Sequence, residues 1–237
     1  MRSTALTGMM LFVICSGAHA QAAGPFDAAA AFGARPSVQG LTLSPDGKTI
    51  AYLTPIAGQG SIVHALSLEP GSKPRMVMSA NGNPDRIGGC SWVSNDRLVC
   101  RVCIVMRDPA ILMLEYVARQ LAVDVTATNP KVLSKPTNSH TYGVDYGGGG
   151  IIDTLPEENG VVLMARSTLP DDHLGSRVTT SDFGFGVDRV DTRTLAYSQI
   201  EKPNRKAEEY ITDGRGNVRI MLLRDTQEGS YELPTVT

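Results

Sequence analysis

The residues best suited to metal or redox chemistry are two cysteines, Cys100 and Cys103, which have the C-x-x-C spacing. Such pairs bind zinc or exchange thiols with disulfides. The residues around them have the composition of a β-strand, and on a strand side chains three positions apart point to opposite faces. These two thiols therefore cannot share a metal ion, and the sequence has no second C-x-x-C pair to complete a site.

Two acidic clusters are further candidates, Asp171-Asp172-His173 and Glu157-Glu158. Metal sites need three or four convergent ligands, and adjacent residues rarely converge on one ion. Both clusters lie in polar stretches that favour a solvated loop or turn. The closest match to a Gly-x-Ser-x-Gly nucleophile elbow, residues 89–93, lacks the final glycine. We therefore predict no catalytic residue, no metal ligand and no cofactor in this chain.

Cys90 and Cys100 flank a polar turn at residues 94–97. If a three-residue loop closes this hairpin, the two thiols face each other across neighbouring strands, and a disulfide would persist in an oxidising compartment. Two buried thiols in the strand core are the alternative, and the pattern leaves both open. Cys103 is left over in either case.

The first twenty residues predict export. Arg2 is followed by an apolar stretch that ends near Cys15 and by the small-x-small sequence Ala18-His19-Ala20. This pattern is typical of a secretory signal peptide, and it is too short to span a bilayer as a mature helix. We expect cleavage before Gln21, a periplasmic or secreted location, and no membrane span after cleavage.

The charge balance of the chain argues against a nucleic-acid partner. The chain of 237 residues has 22 basic and 24 acidic side chains, a net charge of −2, which argues against nucleic-acid binding through a basic surface. It contains 24 glycines and 14 prolines, and 42% of its residues are hydrophobic. This composition favours a globular chain that is rich in strands and turns.

The elements that must position these residues form an internal repeat. Four segments each contain an apolar strand, a polar turn and a second apolar strand, with turns at residues 44–47, 94–97, 156–160 and 213–217. In the first turn Pro45 presets φ, and Asp46 can bond its own backbone next to Ser44. Gly47 adopts a left-handed conformation without strain.

A weaker strand-turn-strand pattern follows each of the first three hairpins, so each period of about fifty to sixty residues holds four strands. This predicts an all-β fold, a partial β-propeller of about four blades, each a four-stranded antiparallel sheet. Residues 108–120 fit either a helix or a strand. The expected organisation is a signal peptide at 1–20, an N-terminal lead-in at 21–37 and a partial propeller at 38–237, with blades at 38–80, 87–135, 149–202 and 207–237.

The opening of this repeat resembles a known family. Phe32, Pro36 and residues 43–47, running into residues 50–52, resemble the start of the propeller in the prolyl oligopeptidase family of serine peptidases. Residues 92–99 resemble the second-blade signature of its exported bacterial members. The resemblance covers most of the mature chain.

The family resemblance implies a propeller that restricts access of short peptides to an α/β-hydrolase domain carrying Ser, Asp and His. No position of this chain matches those catalytic residues, so we expect a truncated N-terminal half-propeller, inactive as a peptidase alone. Its expected partners are the missing hydrolase domain or remaining blades, short peptides, and further copies that pair through exposed blade edges. A stand-alone periplasmic TolB-like interaction module is the alternative.

Overall fold

The computed structural model describes residues 27–107, 113–134, 145–170, 183–224 and 231–232. These ranges contain one α-helix, α1 (Ala28–Gly33), in a unit of its own that ends at Arg35; all strands lie in the second unit. None of the helical segments in these ranges is long and apolar enough to cross a membrane. The predicted signal peptide (1–20) and the 171–173 cluster lie outside the described residues.

The second unit contains four antiparallel sheets that follow one another along the chain. The first contains β1 (Gln39–Leu43), β2 (Thr49–Pro55), β3 (Ser61–Ser67) and β4 (Arg75–Ala80). The second contains β5 (Arg86–Ser94), β6 (Arg97–Arg107), β7 (Leu114–Asp124) and β8 (Lys131–Val132). The third contains β9 (Gly150–Leu155), β10 (Val161–Thr168), β11 (Gly184–Asp191) and β12 (Tyr197–Asn204), with a 3₁₀ turn at Pro156–Glu158. The fourth contains β13 (Ala207–Thr212), β14 (Val218–Arg224) and β15 (Tyr231–Glu232).

In each sheet the strands are neighbours in chain order, which is the arrangement of a propeller blade. The predicted fold class, an all-β partial propeller of four blades, is confirmed. The fourth blade differs in one respect: within the described residues it has three strands, where four were expected.

Residues 108–120, whose sequence fitted both a helix and a strand, belong to strand β7 from Leu114 onwards. Strand β7 pairs with β6 without a register shift, from Arg97 opposite Asp124 to Arg107 opposite Leu114. Because β7 pairs with β6 over its whole length, its backbone donors and acceptors are satisfied in the sheet. This pairing outweighs the weak helical spacing of its apolar residues. Residues 108–112 lie outside the described ranges.

Apolar side chains fill the spaces between successive blades. The core between the first and second blades contains Ala51, Leu53, Val63, Trp92 and Leu98. The core between the second and third contains Val93, Val99, Ala122, Val162 and Met164, and that between the third and fourth contains Leu163, Ala165, Val187 and Tyr210. Full burial of each of the larger aliphatic side chains contributes about 1.5–3 kcal/mol. The two middle blades are therefore covered on both faces, as a propeller requires.

Candidate functional site

An open cleft of about 380 Å³ lies between the second and third blades, beside the glycine-rich segment 145–150. Among the described residues its lining contains one cation, Arg101, and one carboxylate, Asp145. Tyr146, Ser167, Leu169, Phe185 and three glycines of the 145–150 segment complete the lining given by the described residues. The cleft thus combines both signs of charge with an apolar wall, the usual chemistry of a site for a small ligand.

Strand alternation places Arg101 on the side of the second blade that faces the third. Val99, two residues earlier on β6, belongs to the core between these two blades, and side chains two positions apart share a face. The guanidinium carbon of Arg101 lies 5.9 Å from the ring centroid of Tyr116. Within the described part of the chain, no carboxylate is within ion-pair distance of Arg101.

The glycine-rich segment is held against β7. The backbone N–H of Ala118 donates to the carbonyl oxygen of Tyr146 at 2.7 Å, and the N–H of Gly148 donates to Oδ1 of Asp145 at 3.0 Å. Gly148 has φ +65°, and a Cβ there would lie 2.2 Å from the carbonyl oxygen of Ala118. Only glycine fits this approach, so the backbone that lines the cleft has a fixed position.

At the other end of the same strands, a buried ion pair within the second blade is hydrogen-bonded to the third blade. Arg97 is fully buried, and its Nη1 lies 2.5 Å from Oδ1 of Asp124. Its Nε donates to Oγ1 of Thr192 at 3.1 Å and its Nη2 to the Thr192 carbonyl at 2.8 Å. We call Arg97, Asp124 and Thr192, together with Arg193 and Asp96, the interblade clasp.

The outer part of the clasp is centred on Arg193. Its Nη2 donates to Oδ1 of Asp96 at 2.6 Å and to Oγ of Ser94 at 3.1 Å. Partial burial alone would raise the pKa of Asp96, but hydrogen bonds from Ser94 and Arg193 outweigh this effect and lower it. These residues were not predicted as a site from the sequence. The available signal was Arg97, one of three arginines on a strand whose other residues are apolar.

The predicted turn at Ser44, Pro45, Asp46 and Gly47 connects β1 to β2. Oγ of Ser44 donates to Oδ1 of Asp46 at 2.6 Å, and the N–H of Gly47, with φ +72°, donates to the Ser44 carbonyl at 2.9 Å. The Asp46 N–H donates to Oδ1 of Asn95 at 3.0 Å, in the corresponding turn of the second blade. This turn therefore has a structural role in connecting two blades and lies in a different blade from the cleft.

Cys90 and Cys100 are paired residues on β5 and β6 and form a disulfide with a Cα–Cα distance of 4.0 Å. The loop between these strands has two residues rather than the expected three, and β5 takes up the extra residue as a bulge between Trp92 and Ser94. Cys103 is a free, half-buried thiol. Across the described ranges, no three His, Cys, Asp or Glu side chains converge as metal ligands.

No protein-family profile matches the chain, and no curated protein does. Among solved structures, it is similar to TolB from Acinetobacter baumannii (12% identity, TM-score 0.39, 84% of this chain and 44% of that one). It is also similar to a Mycobacterium tuberculosis puromycin-hydrolyzing peptidase (15% identity, TM-score 0.34, 80% of this chain and 34% of that one). A third similar structure is a Synechocystis apocarotenoid oxygenase (12% identity, TM-score 0.36, 85% of this chain and 49% of that one). The chain spans less than half the length of each. Sheet order and blade packing define the class of this protein as a partial β-propeller.

Proposed function

We propose that this chain is the substrate-access and positioning propeller of a prolyl-oligopeptidase-like serine peptidase that acts on short peptides. In this proposal a separate α/β-hydrolase domain supplies the Ser, Asp and His of hydrolysis, and the protein acts in the periplasm or outside the cell. The observation that carries the proposal is the cleft, with Arg101 and Asp145 in one lining. The exported family signature in the sequence supports the same assignment.

The chemistry of the cleft suits a short peptide. A peptide carries charged ends of opposite sign and side chains that are often apolar, and the cleft offers a cation, a carboxylate and the apolar surfaces of Leu169 and Phe185. Its volume of about 380 Å³ is near the lower limit for ligand sites, about 300–1,000 Å³. A few residues fit in this volume, and a folded protein does not.

The framework around the cleft supports a positioning role. Strand β10 begins at Val161, next to the interblade clasp, and contributes Ser167 to the cleft lining near its other end. The clasp fixes the second and third blades to each other through the buried Arg97. Binding groups on rigid strands lose little conformational freedom when a ligand binds, which favours selective positioning.

Saturation-transfer NMR on the full chain tests this proposal with peptides of two to four residues. We expect binding by the unmodified chain and by Ser198→Trp, which changes an exposed residue on β12 of the third blade. Ser167→Trp, at the end of β10 in the same blade, should abolish binding because Ser167 belongs to the cleft lining. The proposal is overturned if no short peptide binds, or if Ser167→Trp binds as well as the unmodified chain.

A second candidate function, a periplasmic TolB-like interaction module, is favoured by a different surface. Leu41, Leu43 and Met76 lie on strands of the first blade, and each side chain is more than half exposed. Exposed apolar groups of this kind mark protein-protein contacts. If this surface carries the function, the double variant Leu43→Lys and Met76→Lys should abolish association with the partner or with a second copy in sedimentation velocity, while peptide binding is unchanged.

A further inference from the structure

We propose that the cleft recognises the free C-terminal carboxylate of a short peptide through Arg101. In this arrangement the apolar side chain of the last residue lies against Phe185 and Leu169. This inference rests on the proposed peptide-binding function and specifies which end of the peptide the cleft recognises.

Arg101 differs from other arginines of the second and third blades in its pairing. Four of these are paired with carboxylates: Arg97 with Asp124, Arg166 with Asp188, Arg189 with Glu158, and Arg193 with Asp96. Arg101 has no carboxylate partner among the described residues, although it lies on the same face of β6 as Arg97. Its charge is therefore not neutralised by the part of the chain that the structure describes.

The Arg101 guanidinium lies beside the ring of Tyr116. The guanidinium lies 5.9 Å from the ring centroid of Tyr116, close enough for a cation–π contact, and this contact does not occupy its N–H donors. A guanidinium presents these donors in a planar fork that binds a carboxylate with two parallel hydrogen bonds. The chemical class that fits this fork in a cleft for peptides is a terminal carboxylate.

The second charge of the cleft sets the direction in which a peptide would bind. Asp145 also lines the cleft, and the hydrogen bond from the Gly148 N–H fixes its carboxylate. A peptide carboxylate near Asp145 would be repelled, whereas peptide N–H groups or a terminal amine would be attracted. The two charges of the cleft therefore favour one orientation, with the C-terminus at Arg101.

Two apolar residues of the cleft lining, Leu169 and Phe185, bear on the last side chain of a bound peptide. The backbone of Phe185 is held from the fourth blade, because the Tyr210 hydroxyl donates to its carbonyl at 2.8 Å, and the Phe185 ring packs against Tyr210 with centroids 5.7 Å apart. Leu169 and Phe185 both belong to the cleft lining, so an apolar C-terminal residue is favoured there. An acidic residue there would lose its hydration without gaining a partner.

Isothermal titration calorimetry with the full chain tests this inference. The ligands are the acetylated tripeptide Ac-Ala-Ala-Phe with a free carboxylate and the same tripeptide with a C-terminal amide. We expect the carboxylate form to bind about tenfold more tightly or better, since hydrogen bonds to a charged group contribute more than those to a neutral one. Arg101→Gln should bind both forms equally, whereas Arg75→Gln, an exposed site on β4, should keep the preference.

The outcomes separate this inference from the function on which it rests. If the two forms bind the unmodified chain equally well, or if Arg101→Gln keeps the preference, carboxylate recognition is overturned while peptide binding stands. If neither form binds, both proposals are overturned. Thermal unfolding of the Arg101 and Arg75 variants confirms that each is folded, and Arg101→Lys, which keeps the charge but not the fork, should retain only part of the preference.

Discussion

Arg97 and Asp124 form a buried ion pair across β6 and β7, with Nη1 and Oδ1 2.5 Å apart. The remaining donors of the same guanidinium reach Thr192 in the third blade and the carbonyl of Asn129. The side chain of Arg97 therefore hydrogen-bonds to residues of both the second and the third blade. Because a buried charge is tolerated only when it is paired and hydrogen-bonded, the contact between these blades depends on this arginine.

Arg97→Met should lower the free energy of unfolding by about 3–5 kcal/mol, since it leaves Asp124 with only the longer contact to Arg193, whose Nη1 lies 3.5 Å from Oδ1. Urea denaturation followed by circular dichroism measures the change. Arg219→Met is the matched control: it removes an arginine from an exposed pair with Asp213 and should cost about 0–1 kcal/mol. Equal losses in the two variants would show that the clasp contributes no more than an exposed pair.

The clasp should also make the fold sensitive to acid. Burial alone would raise the pKa of Asp124, but hydrogen bonds from Asn129 and Arg97 outweigh it and hold this pKa below its usual 3.8. A lowered pKa in the folded state stabilises the protein above the unfolded-state pKa, and that stability is lost as the pH falls through the folded-state pKa. We expect the free energy of unfolding to fall steeply below about pH 4.

The variant Asp124→Asn tests the assignment of this acid sensitivity. It removes the titrating group, so the dependence of unfolding free energy on pH between about 5 and 2 should become shallower than in the unmodified chain. Urea denaturation at several pH values measures both slopes. If the slopes are identical, protonation of Asp124 is not the cause of the acid sensitivity.

Two glycines with similar backbone angles should differ in their tolerance of a side chain. Gly47 has φ +72° and open space where a Cβ would lie, whereas at Gly148, with φ +65°, a Cβ would meet the carbonyl oxygen of Ala118 at 2.2 Å. Gly47→Ala should therefore cost about 1–2 kcal/mol of unfolding free energy, from backbone conformation alone. Gly148→Ala should cost clearly more and reduce peptide binding; equal costs would contradict the close approach.

The features that were predicted from sequence are those set by nearby residues. Alternating apolar residues and the turn at Ser44 to Gly47 act over a few positions, so they indicate blades without tertiary information. The clasp connects Arg97 with Thr192, 95 residues apart, and Arg101 and Phe185 line the same cleft. Such contacts depend on how blades pack, and periodicity does not specify them. The third strand of the second blade was ambiguous because its pairing with β6, rather than its own spacing, decides its structure.

The disulfide between Cys90 and Cys100 can be tested by peptide mapping, because trypsin cuts after Arg97 and Arg101 and places Cys90, Cys100 and Cys103 on separate peptides. Alkylation without reduction should label Cys103 alone of these three, and the other two peptides should appear as one linked species. Cys90→Ala with Cys100→Ala should lower the free energy of unfolding by about 2–4 kcal/mol, since the unfolded chain gains freedom. Cys103→Ser should leave it unchanged. A linked species containing Cys103 would contradict the pairing.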